Sequence, residues 1–173
     1  TLPCFLNGGS ELITSDGAGA YKYDVDSGEK VQSLDVAVGN EALSLSPNGT
    51  VCIPSPLNTT FVDPDSFEEI TSVEAGSANL RTTVFASDYN AIRTGDESIV
   101  SMNPQTGEIR WQQKGLYGSR VGSDGAATDG EVYVLGDSAG RTHFFDVTDG
   151  SKQGRVDTGN KPSVSSPVID NNG

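Results

Sequence analysis

Met102-Asn103-Pro104-Gln105-Thr106-Gly107-Glu108, running on through Ile109-Arg110-Trp111, is the stretch on which the reading of this chain turns. A β-rich run ends in a short polar side chain, a turn follows, and a second β-rich run leaves it. The Asn103 side chain is expected to accept hydrogen bonds from backbone N–H groups two or three residues on, closing the turn. Gly107 then supplies the positive φ that the turn's exit requires. The pattern recurs three more times, as Tyr23-Asp24-Val25-Asp26-Ser27-Gly28-Glu29, Val62-Asp63-Pro64-Asp65-Ser66-Phe67-Glu68 and Phe145-Asp146-Val147-Thr148-Asp149-Gly150-Ser151. The anchors Asp24, Asp63, Asn103 and Asp146 are spaced by 39, 40 and 43 residues. Phe67 stands where the other three copies have glycine, so the second turn is expected to be the least regular.

A period of this length with no helical pattern inside it fits about four short strands per repeat. The first two strands of each copy are legible. Leu2 to Leu6 and Leu12 to Thr14 flank Asn7-Gly8-Gly9; Leu43 to Ser46 and Val51 to Ile53 flank Pro47-Asn48-Gly49. Thr82 to Ala86 and Ala91 to Arg93 flank Asp88-Tyr89-Asn90, and Gly118 to Gly122 precedes Val132 to Leu135 across a turn at Asp129-Gly130. Each copy runs on through a third strand into the anchor turn and out along a fourth, such as Ile109 to Gln112. The sequence therefore predicts an all-β fold, a β-propeller of four-stranded antiparallel blades, as a single domain over 1–173. Its repeats fall at roughly 1–37, 38–76, 77–115 and 116–159. Residues 160–173 read as the inner strand of a further blade, which makes the chain part of a larger propeller or leaves the strand to be completed by a neighbouring chain.

Composition agrees. The 173 residues include 21 Gly, 20 Ser and 14 Thr, a balance that favours strands and tight turns over helices. Asp+Glu number 24 against 11 Lys+Arg, giving a net charge of −13. An acidic surface with no basic cluster is repelled by nucleic-acid phosphates and anionic lipid, and no apolar run is long enough to span a membrane. Fifteen Asp against nine Glu and only five Lys give the acid-rich, lysine-poor balance of proteins adapted to concentrated salt. Cys4 and Cys52 lie far apart with no neighbouring His, so they form one disulfide or stay as two buried thiols. Asn48 and Asn58 begin N-x-S/T sequons, which with the acidity and the cysteine pair point to an extracellular or cell-surface glycoprotein.

The third repeat resembles the tryptophan-docking motif of the pyrroloquinoline-quinone-like propellers, A-x-D-x-x-T-G-x-x-x-W. Ser101 stands for the Ala and Asn103 for the Asp, while Thr106, Gly107 and Trp111 match. The resemblance implies that Trp111 stacks on the next blade's turn. The other repeats are expected to carry Ser33, Ser72 and Gly154 or its neighbours at that place. They look equally like surface-layer-associated propellers with a Val-Gly…Ser-Pro-Asn-Gly pattern, compare Val38-Gly39 and Ser46-Pro47-Asn48-Gly49. The family includes quinone-dependent dehydrogenases, in which calcium sits beside the quinone, and non-catalytic scaffolds. With Trp111 assigned to docking, no Trp is left to stack under a quinone.

The remaining constellations read as structural. His143, in Thr142-His143-Phe144-Phe145, has no paired nucleophile in sequence, so hydrolase chemistry lacks support. Asp24, Asp26 and Glu29, and again Asp63 and Asp65, could supply calcium oxygens but fit turn closure better. Tyr89 and Tyr117, in loops, are candidates for a binding rim. The function this predicts is a non-enzymatic scaffold or assembly module for protein or glycan partners, able to self-associate through the terminal strand. No metal or cofactor is expected. Calcium and the quinone belong only to the alternative of a dehydrogenase fragment, and a central metal only to a lactonase- or hydrolase-type propeller.

Overall fold

A computed structural model describes residues 3–39, 42–74, 83–95, 98–115, 126–137, 139–157, 159 and 169. The described residues form sixteen strands in four antiparallel sheets, each with its strands in sequence order. Blade 1 comprises β1 (Cys4–Leu6), β2 (Glu11–Asp16), β3 (Gly19–Asp24) and β4 (Lys30–Leu34). Blade 2 comprises β5 (Ser44–Leu45), β6 (Val51–Pro54), β7 (Asn58–Val62) and β8 (Glu69–Glu74). Blade 3 is β9 (Thr83–Phe85), β10 (Ala91–Thr94), β11 (Ser98–Met102) and β12 (Ile109–Lys114). Blade 4 is β13 (Ala126–Thr128), β14 (Val132–Gly136), β15 (Arg141–Asp146) and β16 (Lys152–Asp157). The inner strand read at 118–122 lies outside the described residues, as does the further blade read at 160–173 apart from residue 169. The strand that pairs with β14 is Ala126–Thr128. Asn7–Gly9 forms one 3₁₀ turn, and no described helix is long and apolar enough to cross a membrane.

The blades are built alike because the turns set one register. In each, the third strand meets the fourth through a bulge just before the anchor, at Lys22/Tyr23, Phe61/Val62, Ser101/Met102 and Phe144/Phe145. The bulge twists the outer strand and places the residue eight positions after the anchor opposite the residue two before it. Those outer positions are Gln32, Thr71, Trp111 and Gly154. In blades 1 and 2 the docking position is thus one residue earlier than the expected Ser33 and Ser72.

The core lies between blades, since a sheet with alternating side chains buries both faces only against neighbours. Leu6, Ile13 and Ala20 of blade 1 pack on Val51, Ile53, Val62 and Phe67 of blade 2. Cys52, Phe61 and Val73 of blade 2 meet Ala91, Val100 and Met102 of blade 3. Ile92, Ile99 and Trp111 of blade 3 meet Tyr133, Leu135 and Phe145 of blade 4. Val51 and Ile53 therefore face back and Cys52 faces forward, as the two-residue period of β6 requires.

Candidate functional site

The anchor turns were the strongest sequence candidates, and each has the same hydrogen-bond frame. Asp24 Oδ1 accepts from the backbone N–H and hydroxyl of Ser27, at 2.8 and 2.7 Å. Asp63 Oδ1 accepts from the N–H groups of Asp65 and Ser66, Asn103 Oδ1 from Gln105 and Thr106, and Asp146 Oδ1 from Thr148. The ring closes through the backbone: Gly28 donates to Asp24 O, Phe67 to Asp63 O, Gly107 to Asn103 O and Gly150 to Asp146 O, each at 2.9 Å. Donation by Ser27 and by Ser66 holds the Asp24 and Asp63 carboxyls below the usual carboxylate range. Thr106 Oγ1 accepts from Glu108 N–H at 3.3 Å, so the motif threonine closes its own turn. Asp26 and Glu29 lie exposed beside Asp24, and no group of three His, Cys, Asp or Glu side chains among the described residues is disposed to hold a metal.

Phe67 corrects one expectation. With φ of 55° it occupies the left-handed region that Gly28, Gly107 and Gly150 reach at 72°, 73° and 72°. Its turn keeps both backbone closures and is as regular as the rest. The reason is packing: its ring is 3% exposed, in the layer between blades 1 and 2. Burial of the ring offsets a left-handed cost of roughly 1–2 kcal/mol.

The outer-strand position opposite each turn shows four different solutions. Trp111, 9% exposed, donates Nε1–H to Val147 O at 2.8 Å and lies over Gly150. A Cβ at Gly150 would come within 2.5 Å of Trp111 Cε3. Thr71 lies over Gly107, where a Cβ would come within 2.8 Å of its hydroxyl. Gln32 donates to Ser66 O at 2.8 Å, beside a turn that supplies the aromatic itself through Phe67. Gly154 offers no side chain. Lys22 adds a strut between blades 1 and 2, donating to Pro64 O at 2.9 Å and pairing with Glu11 at 3.1 Å.

His143 is 2% exposed, and its Nε2 lies 2.8 Å from Asp137 Oδ2 in the β14–β15 turn. Asp137 also accepts from Ala139 N–H, Arg141 N–H and Arg141 Nε. Burial pushes His143 below the ordinary histidine value. Burial raises Asp137, but donation by His143 and Arg141 outweighs it and the carboxyl ends below its usual range. The imidazole, packed on Phe145, clamps a hairpin inside blade 4.

The two cysteines are free thiols. Cys52 faces blade 3 and donates to Thr83 Oγ1 at 3.5 Å, while Cys4 packs between blades 1 and 2. Burial pushes the Cys4 thiol up to about 11 and raises Cys52 too, which keeps both protonated and unreactive. Asn48 and Asn58 are exposed at opposite ends of β6, whereas the sequon threonines Thr50 and Thr60 are buried. Arg93 gave no sequence signal beyond being a cation within an apolar strand. It is fully buried and donates Nη1–H to Asn58 O at 3.1 Å and to Thr59 Oγ1, tying blade 3 to blade 2.

The first hairpin turns share an end with the anchor turns, as Val25 N–H donating to Ser10 O and Val147 N–H to Glu131 O show. Tyr89, on the β9–β10 turn at this end, is 46% exposed with φ of 64°, where the neighbouring blades have Gly49 and Gly130. Tyr117 lies outside the described residues.

No family model matches the sequence, and no curated protein does. Solved structures do. A chain of the mitotic checkpoint complex is 18% identical with a TM-score of 0.73, the match covering 91% of this chain and 50% of that one. BamB from Moraxella catarrhalis is 18% identical at a TM-score of 0.72, covering 90% of this chain and 47% of that one. The computationally designed Ika8 protein is 14% identical at 0.78, covering 98% and 52%. The chain is an array of β-propeller blades. It spans about half the length of the structures it matches.

Proposed function

We propose that this chain is part of a non-enzymatic β-propeller scaffold of the pyrroloquinoline-quinone-like type, at the cell surface or outside the cell, binding protein or glycan partners. One observation carries the reading: the side chains best suited to chemistry are each committed to structure. His143 is locked to Asp137 in the interior, Trp111 is spent between blades 3 and 4, and the anchor carboxylates close their own turns. A quinone does not fit residues so used, because the single indole that could stack on it is already covered. In this reading the binding end is the one carrying the hairpin turns, and the support for it is Tyr89, exposed there beside Asp88 and Arg110. A left-handed tyrosine left half-exposed gains little packing in return, the kind of local cost that ligand contacts offset. Exposed Asn48 and Asn58 suit glycan attachment in that compartment.

The test is a binding screen of the protein from its source against immobilised glycans and cell-surface proteins, repeated with Tyr89→Ala. Capture of a partner that weakens at least tenfold in the variant supports the reading. Equal capture by both proteins removes Tyr89 from the rim. Dye reduction by alcohols or sugars after adding calcium and the quinone would replace a scaffold by a dehydrogenase.

A further inference from the structure

The two sequons share a feature that the exposure of their asparagines conceals. Asn48 stands on the turn between β5 and β6 and Asn58 opens β7, both at the surface. Transfer of a glycan to an N-x-S/T triplet uses the asparagine amide together with the hydroxyl two residues on. In both triplets that hydroxyl is taken into the fold. Thr50 is 4% exposed, and its Oγ1 accepts from Gln105 Nε2 of blade 3 at 3.4 Å. Thr60 is 3% exposed, and its Oγ1 lies 3.3 Å from Ser72 Oγ on β8.

The backbone is committed as well. Ser46 N–H donates to Thr50 O and Gly49 N–H to Ser46 O, each at 2.9 Å, while Ser46 Oγ donates to Asn48 Oδ1. β7 is a central strand, in which Thr60 pairs with Ile53 on one side and Ser72 on the other. Asn58 O accepts from Ser55 N–H at 2.9 Å and from Arg93 Nη1 at 3.1 Å. Thr59, between the two sequon residues, is fully buried and accepts from Arg93. An enzyme that must hold both asparagine and hydroxyl has to pull Thr50 away from blade 3, or Thr60 out of the middle of a sheet. Such a site is available only in the fraction of molecules that have opened there.

We infer that Asn48 and Asn58 are acceptors of the unfolded chain: their glycans are added before blade 2 closes, and the folded protein no longer accepts them. The inference deepens the proposed glycoprotein reading and rests on it. Transfer joins the asparagine Nδ2 to the sugar C1. The bond from C1 to the lipid pyrophosphate of the donor breaks, and the amide gives up one proton. Because both asparagines are exposed in the finished fold, blade 2 can close with the glycans in place. Occupancy is therefore decided by competition between the transferase and the folding of blade 2, and a copy that folds bare stays bare.

The fold supplies its own control. Asp149-Gly150-Ser151 matches Asn48-Gly49-Thr50 in spacing, with glycine at φ of 72° and 92°, but Ser151 is exposed. Asp149→Asn makes it a sequon, and an asparagine Oδ1 can keep the bond that Asp149 accepts from Ser151 N–H at 2.7 Å. The probes are a single-subunit oligosaccharyltransferase that reads N-x-S/T and its lipid-linked oligosaccharide, followed by intact mass and peptide mapping. Synthetic peptides 43–54 and 55–64 should be modified, and the folded parent chain should be modified at least tenfold more slowly. In the folded Asp149→Asn chain, position 149 should react at least tenfold faster than Asn48 and Asn58 of the same molecule. A melting temperature within a few degrees of the parent shows that this variant is folded. Modification of folded Asn48 or Asn58 as fast as the peptides overturns the inference and leaves the glycoprotein reading standing. Refusal of position 149 by an enzyme that takes the peptides also overturns it, since burial of the hydroxyl is then not the cause. Refusal of both peptides removes the glycoprotein reading and the inference with it.

Discussion

Among the described residues, positive backbone φ is used at three side chains and several glycines, and the surroundings decide what each costs. Gly150→Ala adds a methyl that meets Trp111 within 3 Å as well as the left-handed penalty. It should lose about 3 kcal/mol or more, from roughly 1–2 for the backbone and 1–3 for overpacking. Gly28→Ala meets no atom of the described residues within 4 Å and should lose only the backbone part, roughly 1–2 kcal/mol. Urea midpoints at unchanged slope separate the two, and equal losses would mean that the indole does not rest on Gly150. The left-handed aromatics should respond in opposite directions. Phe67→Gly relieves the backbone but gives up a buried ring, so it should destabilise by about 1–3 kcal/mol. Tyr89→Gly gives up little packing and should stabilise by up to ~1 kcal/mol. The same measurement checks both signs.

Among the elements, the strength of each blade contact follows from what its outer strand carries. Trp111→Ala removes a buried ring and one hydrogen bond and should cost about 3–5 kcal/mol. Gln32→Ala removes one partly exposed hydrogen bond and should cost about 1 kcal/mol, since Phe67 supplies that interface's packing. Thermal unfolding of the two variants should differ accordingly. The β14–β15 hairpin adds a pH signature. His143 is held neutral by burial, so below the ordinary value near ~6.5 the unfolded chain takes its proton first and stability falls. Asp137 sits below its usual range, so its contribution is present above ~3.9 and is lost as pH falls through the depressed value. His143→Gln should flatten stability between about pH 7 and 5 and leave the acid limb in place. The hairpins and anchor turns were legible because their determinants are local: an Asp or Asn anchor, a glycine, a two-residue alternation. The inter-blade contacts were not. Whether a left-handed Phe67 is strained or stapled depends on blade 1, and Arg93 looks like a surface cation until β7 is placed beside it. Trp111 was legible only because one repeat kept the Thr-Gly and Trp of the motif at their spacing, and the degenerate docks at Gln32 and Thr71 required the bulge register.

At the scale of the whole molecule, a net charge of −13 on 173 residues has to be reconciled with a core divided among thin inter-blade layers. The acids concentrate where the turns do. Asp24 and Asp63 draw on backbone N–H groups in the anchor turns, and Asp129 and Asp149 do the same through Val132 and Ser151. Those hydrogen bonds hold the carboxyls below their usual range, so the fold keeps its charge even as pH falls. Each such group favours the fold locally, yet together they repel across one end of the array. Salt separates the effects, because local N–H donation survives at high ionic strength and repulsion between turns does not. The screening length falls from ~10 Å at 0.1 M to ~3 Å at 1 M. The melting temperature should therefore climb by several degrees or more between those salt levels. Sodium chloride and potassium chloride should act alike if screening is the cause, while a rise seen only with sulfate would reflect strengthened apolar burial instead. A curve that stays flat in both chlorides would show that the acidity is tolerated without concentrated salt, and the proposed salt-rich habitat would fall with it.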